Sequence, residues 1–157
     1  MRCVVLLAAM LLSACGSTMT TLPSPPDLHS LVVRTDFSSD TTWSDVCSAI
    51  AAPQGDFRAM VTFVDDRRHE GLTIDSLLEL AANDSDLTFI FVVDSETITS
   101  SDHPVLVVDL HWQPGRTFRV VPALMWSVQN NLYLSNMDWE EFAEAANADG
   151  VFRGFPK

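Results

Sequence analysis

The sequence predicts a single α/β domain, a mixed sheet of about five strands with flanking helices. Three observations predict it. Short runs rich in β-branched residues alternate with amphipathic stretches of helical length. One run, Leu87 to Val93, is apolar at nearly every position, as in a central strand buried on both faces. Two later runs are joined through Gln113-Pro114-Gly115, a link that suits an antiparallel hairpin.

The elements follow in order. Leu31 to Phe37 reads as the first strand. Thr41 or Thr42 is placed to cap a helix that runs to Ala52 and stops at Pro53. Its Trp43, Val46, Cys47 and Ile50 share one face. Ala59 to Asp65 is the second strand, followed by a charged loop from Asp66 to Gly71. Thr73 caps a second helix that presents Ile74, Leu77, Leu78 and Ala81 together, and Asn83 suits its end. The connection from Asp94 to Pro104 is barely long enough for a parallel crossover and has room for one helical turn. Val105 to His111 and Thr117 to Val121 are strands four and five. Pro122 opens a helical stretch through Val128, and Asn130-Asn131 loosens it. Asp138-Trp139-Glu140-Glu141 reads as a capping box that starts the last helix, with Gly150 placed to end it. Residues 151–155 read as an irregular tail.

The amino end predicts an address. Arg2, the apolar run Val4 to Leu12 and the sequence Leu12-Ser13-Ala14-Cys15 read as a bacterial lipoprotein signal over residues 1–14, with Cys15 the lipidated residue. The apolar run is much shorter than the roughly 20 residues a membrane span requires. Multiple acyl chains on Cys15 would anchor the protein stably outside the membrane. Residues 15–30, rich in Ser, Thr and Pro, are expected as a flexible tether, leaving 31–157 as the folded domain. The alternative is a start at Met19, which makes the protein cytoplasmic.

Composition excludes some classes of function. The chain carries 9 basic and 21 acidic residues, a net charge of −12. That argues against nucleic-acid binding and leaves the lipid anchor as the only membrane contact. With Cys3 in the leader and Cys15 acylated, Cys47 alone remains, so no disulfide forms within the domain. Its helical face makes it a small core residue.

One constellation points to chemistry. Strands end in Asp36, in Asp65 with Asp66, in Asp94 and in Asp109. If the first three strands are parallel, Asp36, Asp65, Asp66 and Asp94 gather at the edge where open α/β sheets bind ligands. Crowded carboxylates suit Mg²⁺ or Ca²⁺, so a divalent metal is the one cofactor to consider, and with it a metal-assisted hydrolase or phosphoryl-handling enzyme. The local reading is that Asp caps backbone N–H groups where a strand breaks into a turn. The four histidines show no metal-ligand spacing, and the chain has neither a Gly-x-Ser-x-Gly elbow nor a phosphate-cradling glycine loop. Trp112, Trp126, Tyr133 and Trp139 are candidates for an aromatic patch that binds a partner, with ordinary core packing as the alternative.

Leu-Val-Val-Arg-Thr-Asp-Phe at 31–37, Val-Thr-Phe-Val-Asp-Asp at 61–66 and His-Pro-Val-Leu-Val-Val-Asp-Leu at 103–110 carry a resemblance. It continues in Thr-Phe-Arg-Val-Val-Pro at 117–122, Asn130 through Ala143, and Asp-Gly-Val-Phe-Arg-Gly-Phe at 149–155. From Leu31 to Phe155 the chain resembles a small bacterial, mainly actinobacterial, family known as domain of unknown function 6924. The resemblance implies no activity and no catalytic residues. Members of this kind often begin close to the first strand, which favours the Met19 start. The residues point to a non-enzymatic, acidic module that binds another protein.

Overall fold

A computed structural model describes residues 21–156 apart from 83 and 85. The leader at 1–14, Cys15 and the helix end at Asn83 lie outside the described residues. Among these residues the chain forms β1 (Ser30–Arg34), α1 (Asp40–Ala51), β2 (Val61–Val64), α2 (Ile74–Ala81), β3 (Phe89–Val93) and α3 (Ser95–Thr99). β4 (Val105–Asp109), β5 (Thr117–Val120), α4 (Met125–Tyr133), α5 (Trp139–Ala145) and β6 (Val151–Phe152) complete it. No described helix is long and apolar enough to cross a membrane.

The strands form one mixed sheet in the order β2-β1-β3-β4-β5-β6. β1 runs parallel to both β2 and β3, as the first three strands require if their carboxyl ends are to share an edge. β3–β4 and β4–β5 are antiparallel. The short Asp94–Pro104 link holds only the single turn of α3, less than a parallel crossover needs, so the chain reverses there. The tail differs from expectation: Val151 and Phe152 pair in parallel with Arg119 and Val120, making a sixth strand.

Alternation along the strands builds a core on each face. Val32, Phe91, Val107 and Val120 face α1, α4 and α5, meeting Trp43, Ile50, Met125, Val128 and Phe142. Val33, Ile90, Val92 and Val108 face α2 and meet Leu77 and Ala81. Leu22 joins this second core and is only 6% exposed. Ser24 Oγ also donates to Asp84 at 3.0 Å. Packing therefore begins inside the stretch expected as a tether. One apolar residue among Ser, Thr and Pro leaves no periodic signal, yet its burial is worth about 2 kcal/mol.

The helix starts follow side-chain caps. Ser39 caps α1 by accepting from Thr42 N, two to three residues before the expected position. Thr73 caps α2 by accepting from Ser76 N. α4 runs through Asn130 and Asn131 to Tyr133, and these asparagines do not loosen it. Asn131 Nδ2 donates to Ser127 O at 2.8 Å, back along its own helix.

Candidate functional site

The carboxyl ends of β1, β2 and β3 share one edge, but the four aspartates there do not converge. Asp36 turns onto its own loop and accepts from Ser38 N at 2.8 Å. Asp65 accepts from Arg34 Nη1 at 3.2 Å. Asp66 caps the 3-10 turn Arg67–His69, accepting from Arg68 N and the Arg68 guanidinium. The bond from Arg68 lowers its pKa to about 2. Asp94 caps α3 through Thr97 N and takes two bonds from Arg119, at 3.1 and 2.6 Å. Burial pushes the Asp94 pKa up, but the Arg119 and Thr97 bonds outweigh it and hold the carboxyl below its ordinary range. Among the described residues no group of three or more His, Cys, Asp or Glu side chains is placed to hold a metal ion. Asp36, Asp66 and Asp94 cap backbone N–H groups beside their strand ends, whereas Asp65 pairs with Arg34.

Arg34 organises that edge. It is 2% exposed, donating to Asp36 O, Asp65 and Asp40. Its guanidinium lies 4.3 Å from the Phe37 ring centroid and 5.3 Å from that of Trp43. Nothing in composition marks a buried arginine at a strand end, because its partners lie up to 31 residues away. Cys47 is half-buried, and burial together with nearby Asp65 pushes its thiol up to about 12. It stays a protonated packing residue. His69 is 1% exposed, and neither ring nitrogen has a hydrogen-bond partner among the described residues.

The four aromatic candidates divide. Trp126 stacks on Phe57 at 4.7 Å and 14°. Tyr133 accepts a hydrogen bond from Leu28 N through its hydroxyl. Trp112 and Trp139 line one cleft of about 550 Å³, between the β4–β5 loop and the start of α5. Trp139 is its buried floor, 4% exposed, packed edge-on against Phe118 at 4.8 Å. Trp112 is its open wall, 53% exposed. Met137 is another apolar side chain in the cleft, and Asp138 and Glu140 supply its acidic groups.

Asp109 holds the wall in place. It is fully buried at the end of β4. Oδ1 accepts from His111 N and Trp112 N at 2.8 and 3.0 Å, and Oδ2 from Gln113 N and Arg116 Nε at 3.0 and 2.6 Å. Gly115, at φ 92°, lets its N–H return to Asp109 O. Burial works against the charge of Asp109. The bonds from the His111 N–H, the Arg116 guanidinium and the next two N–H groups outweigh it, so its pKa is lowered. Arg116 lies 4.9 Å from the Trp139 ring centroid and reaches Glu140 through Nη1, which lowers the pKa of Glu140. The loop is thus fixed by a buried carboxylate while its indole is presented to solvent.

A family model described as Domain of unknown function (DUF6924) matches residues 29–155. No curated protein matches the chain.

Proposed function

Since the chain belongs to the DUF6924 family, whose description names no activity, we propose a function from its own surface: it is a non-enzymatic module that docks another protein in the Trp112 cleft. The observation that carries this is an exposed indole on a rigid loop. A tryptophan 53% exposed leaves a large apolar area in water, and the Asp109 network pre-organises it for contact. Depth, a buried aromatic floor and acidic groups complete the arrangement of a docking groove. The strand-end aspartates support no comparable site, because three of them answer to arginines.

The test is photo-crosslinking in the native host. A photoreactive residue at Gln113, in the cleft, is expected to trap a defined partner. The same residue at Asp75, on α2 across the sheet, serves as the control. Equal trapping at both positions, or none at Gln113, contradicts the reading.

Leu12-Ser13-Ala14-Cys15 supports tethering this module to a membrane through an acylated Cys15. Intact mass of the native protein tests that part. A diacylated chain beginning at Cys15 upholds it, and an unmodified chain beginning at Met19 ends it.

A further inference from the structure

We infer that the occupant of the Trp112 cleft is an arginine side chain carried on a basic, partly apolar segment of the partner protein; this rests on the docking reading above. The cleft already holds one guanidinium of its own chain. Arg116 lies beside the Trp139 ring and is bonded to Asp109 and Glu140. An aromatic face with carboxylates beside it is the arrangement that suits a guanidinium, which stacks and forms ion pairs at once.

That internal site is full. Asp109 has four donors on its two oxygens and no access to solvent. A second set of like groups remains available in the cleft. Glu140 is 55% exposed at its side chain and gives Oε1 to Arg116. The Trp112 ring meets the His111 ring edge-on at 5.2 Å and is otherwise half in water. Asp138 adds negative charge beside Glu140. Among the described residues the one cation in the lining is Arg116, which is neutralised by two carboxylates, so the open part of the cleft is acidic within a chain of net charge −12. Charge complementarity therefore selects a basic segment. Met137, partly exposed, offers an apolar surface for the residue next to the arginine. Arginine fits better than lysine because its flat, weakly hydrated group stacks on an indole while pairing with a carboxylate.

The experiment is an NMR titration of the whole domain with three acetylated, amidated hexapeptides. One carries arginine beside leucine, one citrulline at the arginine position and one glutamate there. The Trp112 indole N–H signal is followed. The arginine peptide is expected to shift it saturably and to bind at least tenfold more tightly than the citrulline peptide, with no response to the glutamate peptide. Glu140→Gln is expected to bring arginine binding down to the citrulline level, and Trp112→Ala, followed through the backbone N–H signals of Gln113 and Glu140, to abolish both. If arginine and citrulline peptides bind equally through Trp112, the inference is overturned while the docking reading stands. If no peptide moves the Trp112 signal, the inference is likewise overturned, and the Gln113 crosslink decides separately on the docking reading.

Discussion

At the residue scale, Asp109 is the position on which the cleft depends. It was visible in the sequence only as one more strand-end aspartate, and its four bonds are what distinguish it. Asp109→Ala removes a buried partner of Arg116 and strands three loop N–H groups. The expected loss is about 3 kcal/mol, read from urea unfolding, since three loop N–H groups lose their acceptor and Arg116 keeps only Glu140. A loss below about 1 kcal/mol would show that the loop is held by something else. His69 gives a second prediction at this scale. Burial pushes its pKa below the ordinary value, with Asp66 and Arg68 acting in opposite directions. The unfolded chain then takes up a proton, with a pKa of about 6.5, that the folded chain resists. Stability is fully present above that value, falls as pH drops through it, and levels off below the folded pKa. Urea unfolding at pH 7.5 and 5.5 is expected to show a loss in the wild type that His69→Leu lacks. Equal losses in both would place the acid sensitivity elsewhere.

At the element scale, hydrophobic pattern and turn chemistry reveal most of the order, and the misses have local causes. Thr73 and Asp138 were legible as caps because an Asx or hydroxyl residue precedes an amphipathic run. Asp138 N indeed donates to Glu141 Oε2 at 2.8 Å. β6 was not legible, because two residues carry no periodicity and its pairing is set by β5. The continuation of α4 was hidden for another reason. Asn130 and Asn131 look like helix-weakening residues, yet each side chain bonds to backbone, at Arg58 O and Ser127 O. Gln129 is 1% exposed, with Nε2 donating to Leu28 O and Oε1 accepting from Met60 N. It thereby ties α4 to the segments that enter β1 and β2. Gln129→Leu is expected to cost about 2 kcal/mol in urea unfolding by removing both bonds to these part-buried backbone groups. An unchanged midpoint would mean that this tie contributes nothing.

At the scale of the whole molecule, the parallel run of β1, β2 and β3, which the sequence poses only as a condition, is observed and does bring the aspartates' strands to one edge. Their dispersal was not readable, because Arg34–Asp65 and Arg119–Asp94 join residues 31 and 25 positions apart. Without those arginines an acidic edge looks like a metal site; with them it is a set of ion pairs and caps. Melting followed during titration with Mg²⁺, Mn²⁺ and Ca²⁺ is expected to show no saturable shift in the wild type. A shift that Asp36→Asn abolishes would restore a metal to that edge. The aromatic candidates were legible as residues but not as a site. Trp112 and Trp139 line one cleft, with the β4–β5 loop held by Asp109 and joined to α5 through Arg116 and Glu140.

Trp112 is the proposed anchor of a docked protein. The most direct measurement is the yield of the Gln113 photo-crosslink in Trp112→Ala relative to the wild type, at equal protein levels and with folding checked by melting. The yield is expected to fall about tenfold or more, the loss that removing a central aromatic anchor brings. An unchanged yield would contradict that role.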